Sequence, residues 1–421
     1  MLFFNNGSCE IKLIFLFLID ILQQECYISG NSFEPGGYMF VKKCFVLSFT
    51  AVLLICTSCA AAPVKKEKAP DTAKFKIPAL ENPESWSMVV VPDVQTYIKQ
   101  IENNGILDLM LAWIVRRRAE MNIQQVLFTG DLVYRNDIST VTQIPGVRFF
   151  RTGKLCDLVA EEQWKAFSRL MQRLDGEVPY ILCTGNHDYG FHSAENRNSY
   201  FDKYFPTDRN PLTRRQLIAC APNAFRKHTL ETSAYEFSAP APDNRKFLFF
   251  SLAFAPTDAD LAWAKKIADQ PRFADHIGIV LTHSYILGNG KRIQKENYAL
   301  SKADGNAGED IFKKLVYPAK NIRMVISGHV CKLEDWDASV GFSVDKNCIG
   351  KTVSQMVFNT QAIGGGFSGN GGDGWLRLLE FMPDGKTVKA TTFSPFFGAS
   401  PSTFHLAWKN DPRNCFTFTI D

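Results

Sequence analysis

Five short apolar segments of this sequence are followed by side chains that can bind metal ions. These side chains carry carboxylate, amide or imidazole groups, and they are Asp93, Asp131, Asn186, His283 and His329. Hard oxygen ligands mixed with imidazoles suit manganese, iron or zinc better than calcium or magnesium. A single residue of this kind is more often a turn, cap or structural residue than a ligand. Five of them in the same position relative to an apolar run predict a metal site.

The segment Gly185-Asn186-His187-Asp188 is the most specific of these signals. Asn186 offers a neutral oxygen ligand and His187 can supply a proton, while glycine permits the tight turn that presents both side chains. The alternative interpretation is an ordinary turn rich in asparagine. Because four further signals accompany the segment, we favour the functional interpretation.

Strands and helices have to bring these residues together. Short continuous apolar runs that stop at polar turn residues predict buried strands over residues 87–91, 126–128 and 179–183. Apolar residues recur at helical spacing over residues 106–121 and 161–174, which predicts two helices. This alternation indicates right-handed crossovers and a mainly parallel sheet.

Two later apolar runs, residues 278–281 and 323–326, stop at His283 and His329. Ligands of open α/β sheets lie beyond the carboxyl ends of the strands, so we expect all five loops to converge on one place. Residues 136–159 interrupt the order of elements and are interpreted as an insertion.

The C-terminal third differs in character from the rest of the chain. Its glycine-rich stretches 364–366 and 369–374 predict a mobile loop. Short β-like runs follow over residues 375–381, 387–393 and 416–420. We interpret these runs as a second sheet packed on the first one.

The ordered motifs resemble those of the calcineurin-like metallophosphoesterase superfamily. The matching residues are Asp93-Val94-Gln95, Gly130-Asp131, Gly185-Asn186-His187-Asp188, His283 and Gly328-His329. The resemblance covers most of the chain from about residue 87 to residue 418, and it is strongest to a bacterial exported branch whose first motif is Asp-x-Gln. It implies an α/β fold, a four-layer α/β/β/α sandwich of two mixed sheets.

The resemblance also implies a centre of two metal ions, manganese, iron or zinc, that Asp131 bridges. The ligands of the first ion would be Asp93, Gln95 and Asp131. The ligands of the second ion would be Asp131, Asn186, His283 and His329. His187 would donate a proton to the leaving oxygen.

This sequence departs from the superfamily pattern at two positions near the first ion. Gln95 replaces the usual histidine, and Cys331 stands where the last motif supplies a second histidine. Either the Cys331 thiolate is a ligand, since thiolates bind zinc and iron strongly, or the first ion is held loosely. The other interpretations of Cys331 are a small buried cysteine and one half of a disulfide with Cys348.

These inferences predict a phosphoesterase that hydrolyses phosphomonoester or phosphodiester bonds with hydroxide activated by two metal ions. No nucleophilic side chain is required, and His187 assists departure of the alcohol. The alternative is a metal-binding scaffold lipoprotein weakened by the changes at Gln95 and Cys331. A nuclease would need a basic groove, so no nucleic acid partner is expected.

Four further polar residues follow the ligand-bearing turns and are candidates for contact with the phosphate or the organic part of the substrate. They are Asn136, Tyr189, His192 and Arg197. The alternative for each is a surface or supporting residue, and we favour that alternative.

The amino-acid composition is that of a globular protein and not of a disordered or fibrous one. The chain has 421 residues, of which 46% are hydrophobic and 21% charged, with a formal net charge of +4. These values are ordinary for a globular protein. The small net charge gives no reason to expect a nucleic-acid-binding protein.

The N-terminal region predicts export. Charged residues after Met39 precede an apolar run over residues 44–55, as in a secretory signal peptide, and small residues lead to Cys59. We interpret residues 39–59 as a lipoprotein-type signal, with Cys59 lipidated and the protein anchored to the bacterial cell envelope. The alternative is a signal cleaved among the alanines at positions 60–62.

Three further segments complete this division of the chain. Residues 1–38 would then be an upstream segment translated in error. Residues 60–84, rich in alanine, lysine and proline, would be a flexible tether. The metallophosphoesterase domain would cover residues 85–421.

Overall fold

The apolar segments that precede the candidate site residues form strands of two mixed sheets. The computed structural model describes residues 76–137, 160–223 and 228–420. The predicted upstream segment, the signal and most of the tether lie outside these ranges, as does nearly all of the predicted insertion. No described helix is both long and apolar enough to cross a membrane.

The strands of the described residues are β1 (Trp86–Val91), β2 (Ile123–Phe128), β3 (Tyr180–Leu182), β4 (Leu217–Cys220), β5 (Ser233–Ser238), β6 (Lys246–Ser251), β7 (Ile277–Leu281), β8 (Ile322–Ser327), β9 (Val340–Lys346), β10 (Thr352–Phe358), β11 (Leu376–Phe381), β12 (Thr387–Phe393), β13 (Trp408–Lys409) and β14 (Phe416–Thr419). The helices are α1 (Gln95–Lys99), α2 (Asn104–Arg117), α3 (Ala160–Met171), α4 (Phe201–Tyr204), α5 (Pro211–Gln216), α6 (Asp258–Ala268), α7 (Ala299–Ala303), α8 (Gly308–Ile311), α9 (Trp336–Ser339) and α10 (Pro395–Gly398).

The first sheet has the strand order β13-β12-β11-β1-β2-β3, and β14 also pairs with β12. Strands β1, β2 and β3 run parallel, whereas β1 pairs with β11 in antiparallel fashion. The second sheet has the order β4-β5-β6-β7-β8-β10-β9, with parallel pairing from β6 through β10. The parallel strands therefore lie at one end of the first sheet and in the middle of the second. In each sheet their carboxyl ends lie side by side.

Alternation along β1 explains why the sheets stack. Trp86, Met88 and Val90 face the core between the sheets, while Val89 and Val91 face the core under the helices. Successive side chains of a strand point to opposite faces, so a strand that is apolar throughout must be covered on both sides.

Helices cover the outer face of each sheet. Residues of α2 and α3 pack on the first sheet, and residues of α6 and α8 pack on the second. Helix α6 begins at Thr257, whose side chain forms a reciprocal capping box with Asp260. The predicted four-layer α/β/β/α sandwich of two mixed sheets is confirmed.

The prediction that the three C-terminal runs form the second sheet is wrong. Strands β11, β12 and β14 join the first sheet, because β11 pairs along the free edge of β1. The second sheet is formed by β4 to β10 instead. The strands before His283 and His329, β7 and β8, belong to this second sheet. The strand before Asp93, β1, belongs to the first sheet.

The segment that precedes β1 already contacts the domain. The carbonyl of Lys76 accepts a hydrogen bond from the Trp408 indole, and Glu380 accepts hydrogen bonds from the backbone of Glu81 and Asn82. The last part of the predicted tether therefore packs against the C-terminal strands.

Candidate metal centre

Three buried side chains from the two sheets meet at the carboxyl ends of their strands. Asp93 follows β1, Asp131 follows β2 and His283 follows β7. One potential ligand atom from each lies within 4.8 Å of the other two. Burial of two neighbouring carboxylates costs free energy unless a positive charge lies beside them. This arrangement therefore suits a cation.

The His283 imidazole is oriented so that one nitrogen faces the centre. Its Nδ1 lies 2.8 Å from the Thr129 carbonyl, so Nδ1 carries the proton and donates it there. Its Nε2 lies 3.1 Å from Asn186 Oδ1, 3.4 Å from Asp131 Oδ1 and 3.1 Å from His329 Nδ1. Four atoms that each offer a lone pair thus converge, and a metal ion would satisfy all of them.

The electrostatics of His283 agree with this geometry. Burial alone would lower the pKa of the imidazole, but the Asp131 and Asp93 carboxylates raise it to about 10. The group of acceptors therefore attracts positive charge strongly enough to bind a proton. A metal ion would take the place of that proton.

Asp131 is held by the two turns that flank it. Its Oδ1 accepts a hydrogen bond from the His187 backbone N–H at 2.9 Å, and its Oδ2 accepts one from Gln95 Nε2 at 2.8 Å. Burial would raise the pKa of this carboxyl, but His283 and His187 lower it below its usual value. Asp131 is therefore a fixed negative charge.

Gln95 fits the ligand role that the resemblance implies. Because its Nε2 donates to Asp131, the amide orientation is set. Its Oε1 is buried and has no hydrogen-bond partner. A buried oxygen without a donor is costly, and a cation beside it would remove that cost.

Asp93 accepts more hydrogen bonds than the sequence suggests. Its Oδ2 accepts from the His329 backbone at 3.0 Å, from Asn359 at 2.7 Å and from Gln361 at 3.2 Å, and its Oδ1 accepts from Thr129 at 2.9 Å. Burial and the charge of Asp131 nevertheless raise its pKa to about 7. These donors fix the carboxylate next to Asp131.

Sequence reasoning missed Asn359 and Gln361. A signal was present, because both follow the apolar strand β10 as the predicted ligands follow theirs. Strand β10 lies beside β8, so its end reaches the same place.

His329 is positioned by a carboxylate that sequence reasoning also missed. Its Nδ1 faces His283, while its Nε2 lies 3.3 Å from Glu296 Oε1. The same Glu296 oxygen accepts a hydrogen bond from the Ser284 hydroxyl. A carboxylate that accepts the proton of one imidazole nitrogen leaves the other nitrogen available for a metal ion.

We expect Glu296→Gln to weaken metal binding about tenfold, because a neutral amide holds the His329 proton less firmly than a carboxylate. Titration calorimetry with Mn²⁺ measures the change. Glu236→Gln is the matched control, since Glu236 lies 3.0 Å from His276 in a second Glu–His pair. Equal Mn²⁺ affinity in the two variants would show that Glu296 does not position His329.

Cys331 lies near the centre but outside the group of three ligands. Burial and the charges of Asp93 and Asp131 raise the pKa of its thiol. Cys331 and Cys348 are both free cysteines, so the disulfide alternative is wrong. Ligation by Cys331 stays a prediction.

His187 lies at the side of the centre that is partly open to solvent. Its ring stacks on Tyr134 with centroids 5.1 Å apart, and its Nδ1 is 3.0 Å from the Tyr134 carbonyl and 3.3 Å from an Arg135 nitrogen. Burial, with the positive charge of Arg135, lowers the pKa of His187 to about 4 although Asp131 opposes this shift. The imidazole is therefore neutral at neutral pH when no substrate is present.

Asp188 ties the two turns of the centre together. Its Oδ1 accepts from the backbone of Leu132 and Val133, and its Oδ2 accepts from that of Gly185. The sequence placed this residue in the motif without a role. The structure shows that it holds the His187 turn against the Asp131 turn.

The four additional candidates lie around the centre rather than at the ligand atoms. Asn136 donates to the Gly190 and Asn198 carbonyls, and Tyr189 bonds to Thr184. The other two contact charged partners, since His192 bonds to Arg135 and Arg197 pairs with Asp304. These contacts support the loops.

Gly185 is required by close packing at the centre. A Cβ added to this residue would overlap Oδ1 and the backbone nitrogen of Asp131. We expect Gly185→Ala to lower the free energy of unfolding by about 1–3 kcal/mol, the usual cost of overpacking. Urea denaturation measures the loss.

Gly105→Ala is the control, because Gly105 lies in α2 and a Cβ there has no neighbour within 4 Å. It should raise stability by about 0.5–1 kcal/mol. An unchanged midpoint for Gly185→Ala would contradict the packing of these two turns.

The match to a family model agrees with the motifs. The family model "Calcineurin-like phosphoesterase" matches residues 88–333. The Bacillus subtilis (strain 168) protein "Uncharacterized protein YvnB" is 26% identical over 378 residues, which cover 87% of this chain and 24% of YvnB. The chain thus spans about a quarter of the length of this relative. The solved structure "GAP50 the anchor in the inner membrane complex of Plasmodium" is 12% identical and covers 80% of this chain and 89% of that chain, with a TM-score of 0.41.

Proposed function

Because this chain belongs to the calcineurin-like phosphoesterase family, we propose that it is a metal-dependent hydrolase of phosphomonoester or phosphodiester bonds. The observation that carries the proposal is that Asn186 Oδ1, Asp131 Oδ1 and His329 Nδ1 all lie within 3.4 Å of His283 Nε2. Imidazole, carboxylate and amide donors of this kind are typical ligands of divalent transition-metal ions.

We propose that the centre holds two ions of manganese, iron or zinc. The residues that would hold the first ion are Asp93, Gln95 and Asp131, with Cys331 as a further candidate. The residues that would hold the second ion are Asp131, Asn186, His283 and His329. The buried Gln95 oxygen without a partner supports the first position. When bound, two such ions clamp the phosphoryl group and make hydroxide available near neutral pH.

His187 is the proposed proton donor to the leaving oxygen. Its Nδ1 donates to the Tyr134 carbonyl, so the proton that moves is the one on Nε2. Its low pKa in the free protein follows from burial, and the negative charge of a bound phosphate ester raises it. Substrate binding would therefore charge the imidazole before the alcohol leaves.

Arg135 supplies fixed positive charge beside His187. Its guanidinium lies 4.1 Å from the centroid of the Tyr134 ring and donates to the His192 carbonyl. Both terminal nitrogens of this buried guanidinium already contact His192. We propose that its positive charge favours the binding of an anionic phosphoryl group at the centre without contacting it.

The alternative function is a metal-binding scaffold that has lost efficient catalysis. Gln95 and Cys331 favour it, because both weaken the ligand set of the first ion. Metal analysis of the purified protein by mass spectrometry separates the two functions. The hydrolase should hold about two equivalents, whereas fewer than two would favour the scaffold, and a protein that holds none would contradict both.

We also propose that the protein is exported and anchored by a lipid at Cys59. The charged and apolar residues of 39–59 and the small residues before Cys59 support this location. Mass spectrometry of the native N-terminal peptide tests it, and a peptide that retains residues before Cys59 would contradict it.

A further inference from the structure

We propose that the substrate of this centre carries a large apolar alcohol, an alkyl or aryl group, which three exposed side chains around the centre contact. This inference rests on the proposed phosphoesterase function. The side chains are Phe191, Leu333 and Phe367, which we call the apolar rim. They are 54%, 59% and 48% exposed.

Each rim residue belongs to a loop that also carries residues of the centre. Phe191 follows His187 in the loop after β3, and Leu333 follows His329 in the loop after β8. Phe367 lies in the glycine-rich loop after β10. The loops that converge on the ligands therefore bring the rim residues with them.

Short contacts connect Phe367 and Phe191 to the surroundings of His187. The Phe367 carbonyl accepts a hydrogen bond from Lys99, whose ammonium lies 4.6 Å from the centroid of the Tyr134 ring. Arg135 also lies over the Tyr134 ring. It donates a hydrogen bond to the carbonyl of His192, the residue after Phe191.

Leu333 lies directly against the loop that carries Phe367. A Cβ added to Gly366 would overlap Leu333 Cδ1, so the leucine side chain occupies the space above that glycine. Leu333 therefore packs against the residue that precedes Phe367.

Single exposed apolar residues are normal, but a group beside a polar pocket marks a binding region. The charged groups of the centre account for the phosphoryl part of a substrate. The alcohol must extend from the phosphoryl group toward solvent, and the apolar rim is exposed on the loops that carry the centre. An apolar alcohol would cover these side chains, whereas a sugar or glycerol would leave them in water.

Hydrolysis of n-alkyl phosphates from methyl to octyl, all below their micelle concentrations, tests the proposal. We expect kcat/KM to rise about two- to fourfold for each methylene that the rim covers. Glycerol phosphate should behave like methyl phosphate. Equal values of kcat/KM for methyl and octyl phosphate would overturn the inference while leaving the phosphoesterase function intact.

Variants assign the preference to the rim. We expect Phe191→Ala, Leu333→Ala and Phe367→Ala each to lower the ratio of octyl to methyl kcat/KM by about threefold or more. Val344→Ala is the matched control, because Val344 is 54% exposed on β9, outside the loops that carry the centre. An unchanged ratio in all three rim variants would overturn the assignment.

A binding measurement keeps the test decisive if no ester is hydrolysed. Calorimetry with methyl and octyl phosphonate, in the presence of Mn²⁺, compares the two alkyl groups without chemistry. Tighter binding of octyl phosphonate that falls in the rim variants would support the inference even if the hydrolase function failed. Equal binding of the two phosphonates would overturn it.

Discussion

We expect Asp131→Asn to lower kcat/KM for an aryl phosphate about a thousandfold, a loss of ~4 kcal/mol in transition-state stabilisation. The carboxylate lies 3.4 Å from His283 and accepts from His187 and Gln95, so it is the negative charge shared by both proposed ion positions. An amide removes that charge. Steady-state kinetics and the metal content of the variant measure the effect.

The Asp131→Asn substitution is suited to a clean comparison because it keeps the local backbone. Asp131 has a positive φ of 49°, a region that asparagine tolerates better than most residues. Asp384→Asn is the control, since Asp384 is exposed and accepts from the backbone of a turn before β12. Parental activity and metal content in Asp131→Asn would rule out its bridging role.

His187→Ala should reduce hydrolysis of an alkyl phosphate about a thousandfold, within the usual range for loss of a general acid. An alkoxide is a poor leaving group and needs the proton that His187 Nε2 would supply. A dinitrophenolate leaves without protonation, so the same variant should lose much less activity on dinitrophenyl phosphate. Comparison of kcat for the two esters measures the difference.

The dependence on the leaving group separates proton donation from other roles of His187. If the residue only supported the Asp131 turn, both esters would slow equally, and the assignment as proton donor would fail. His405→Ala is the control, because His405 is exposed in the short turn before β13. It should leave both rates unchanged.

The sequence predicted the local elements better than their arrangement. Strand β1 was predictable because all of its residues are apolar or small and buried. Its antiparallel pairing with β11 joins residues almost three hundred positions apart, and no local pattern specifies such a pairing. The C-terminal strands were therefore assigned to the wrong sheet.

The ends of a helix were likewise predicted less accurately than its existence. Residues 106–121 were predicted as helical, whereas α2 spans Asn104–Arg117. Met121 is buried like the apolar residues of the helix, although the chain has already turned toward β2 at Asn122, which has a positive φ of 44°. Periodicity reports burial, and burial continues past the last helical turn.

The convergence of Asp93, Asp131 and His283 was predictable because each follows an apolar strand. Glu296 and Arg135 were not, because Glu296 lies in the loop between β7 and α7 and Arg135 follows the Asp131 turn. Their proximity to His329 and His187 is set by loop conformation. Chemistry that depends on the ends of strands can be read from sequence, whereas chemistry that depends on loop paths needs the structure.

Metal-dependent hydrolysis of phosphate esters is tested most directly with para-nitrophenyl phosphate and bis-para-nitrophenyl phosphate. The full chain is assayed after chelation, with and without added Mn²⁺, Fe²⁺ or Zn²⁺. We expect no turnover after chelation and restored turnover with a metal ion, and the preferred ester would identify a monoesterase or a diesterase. Turnover that survives complete removal of metal, or a folded and metal-loaded protein that hydrolyses neither ester, would show that the protein is not a metal-dependent phosphoesterase.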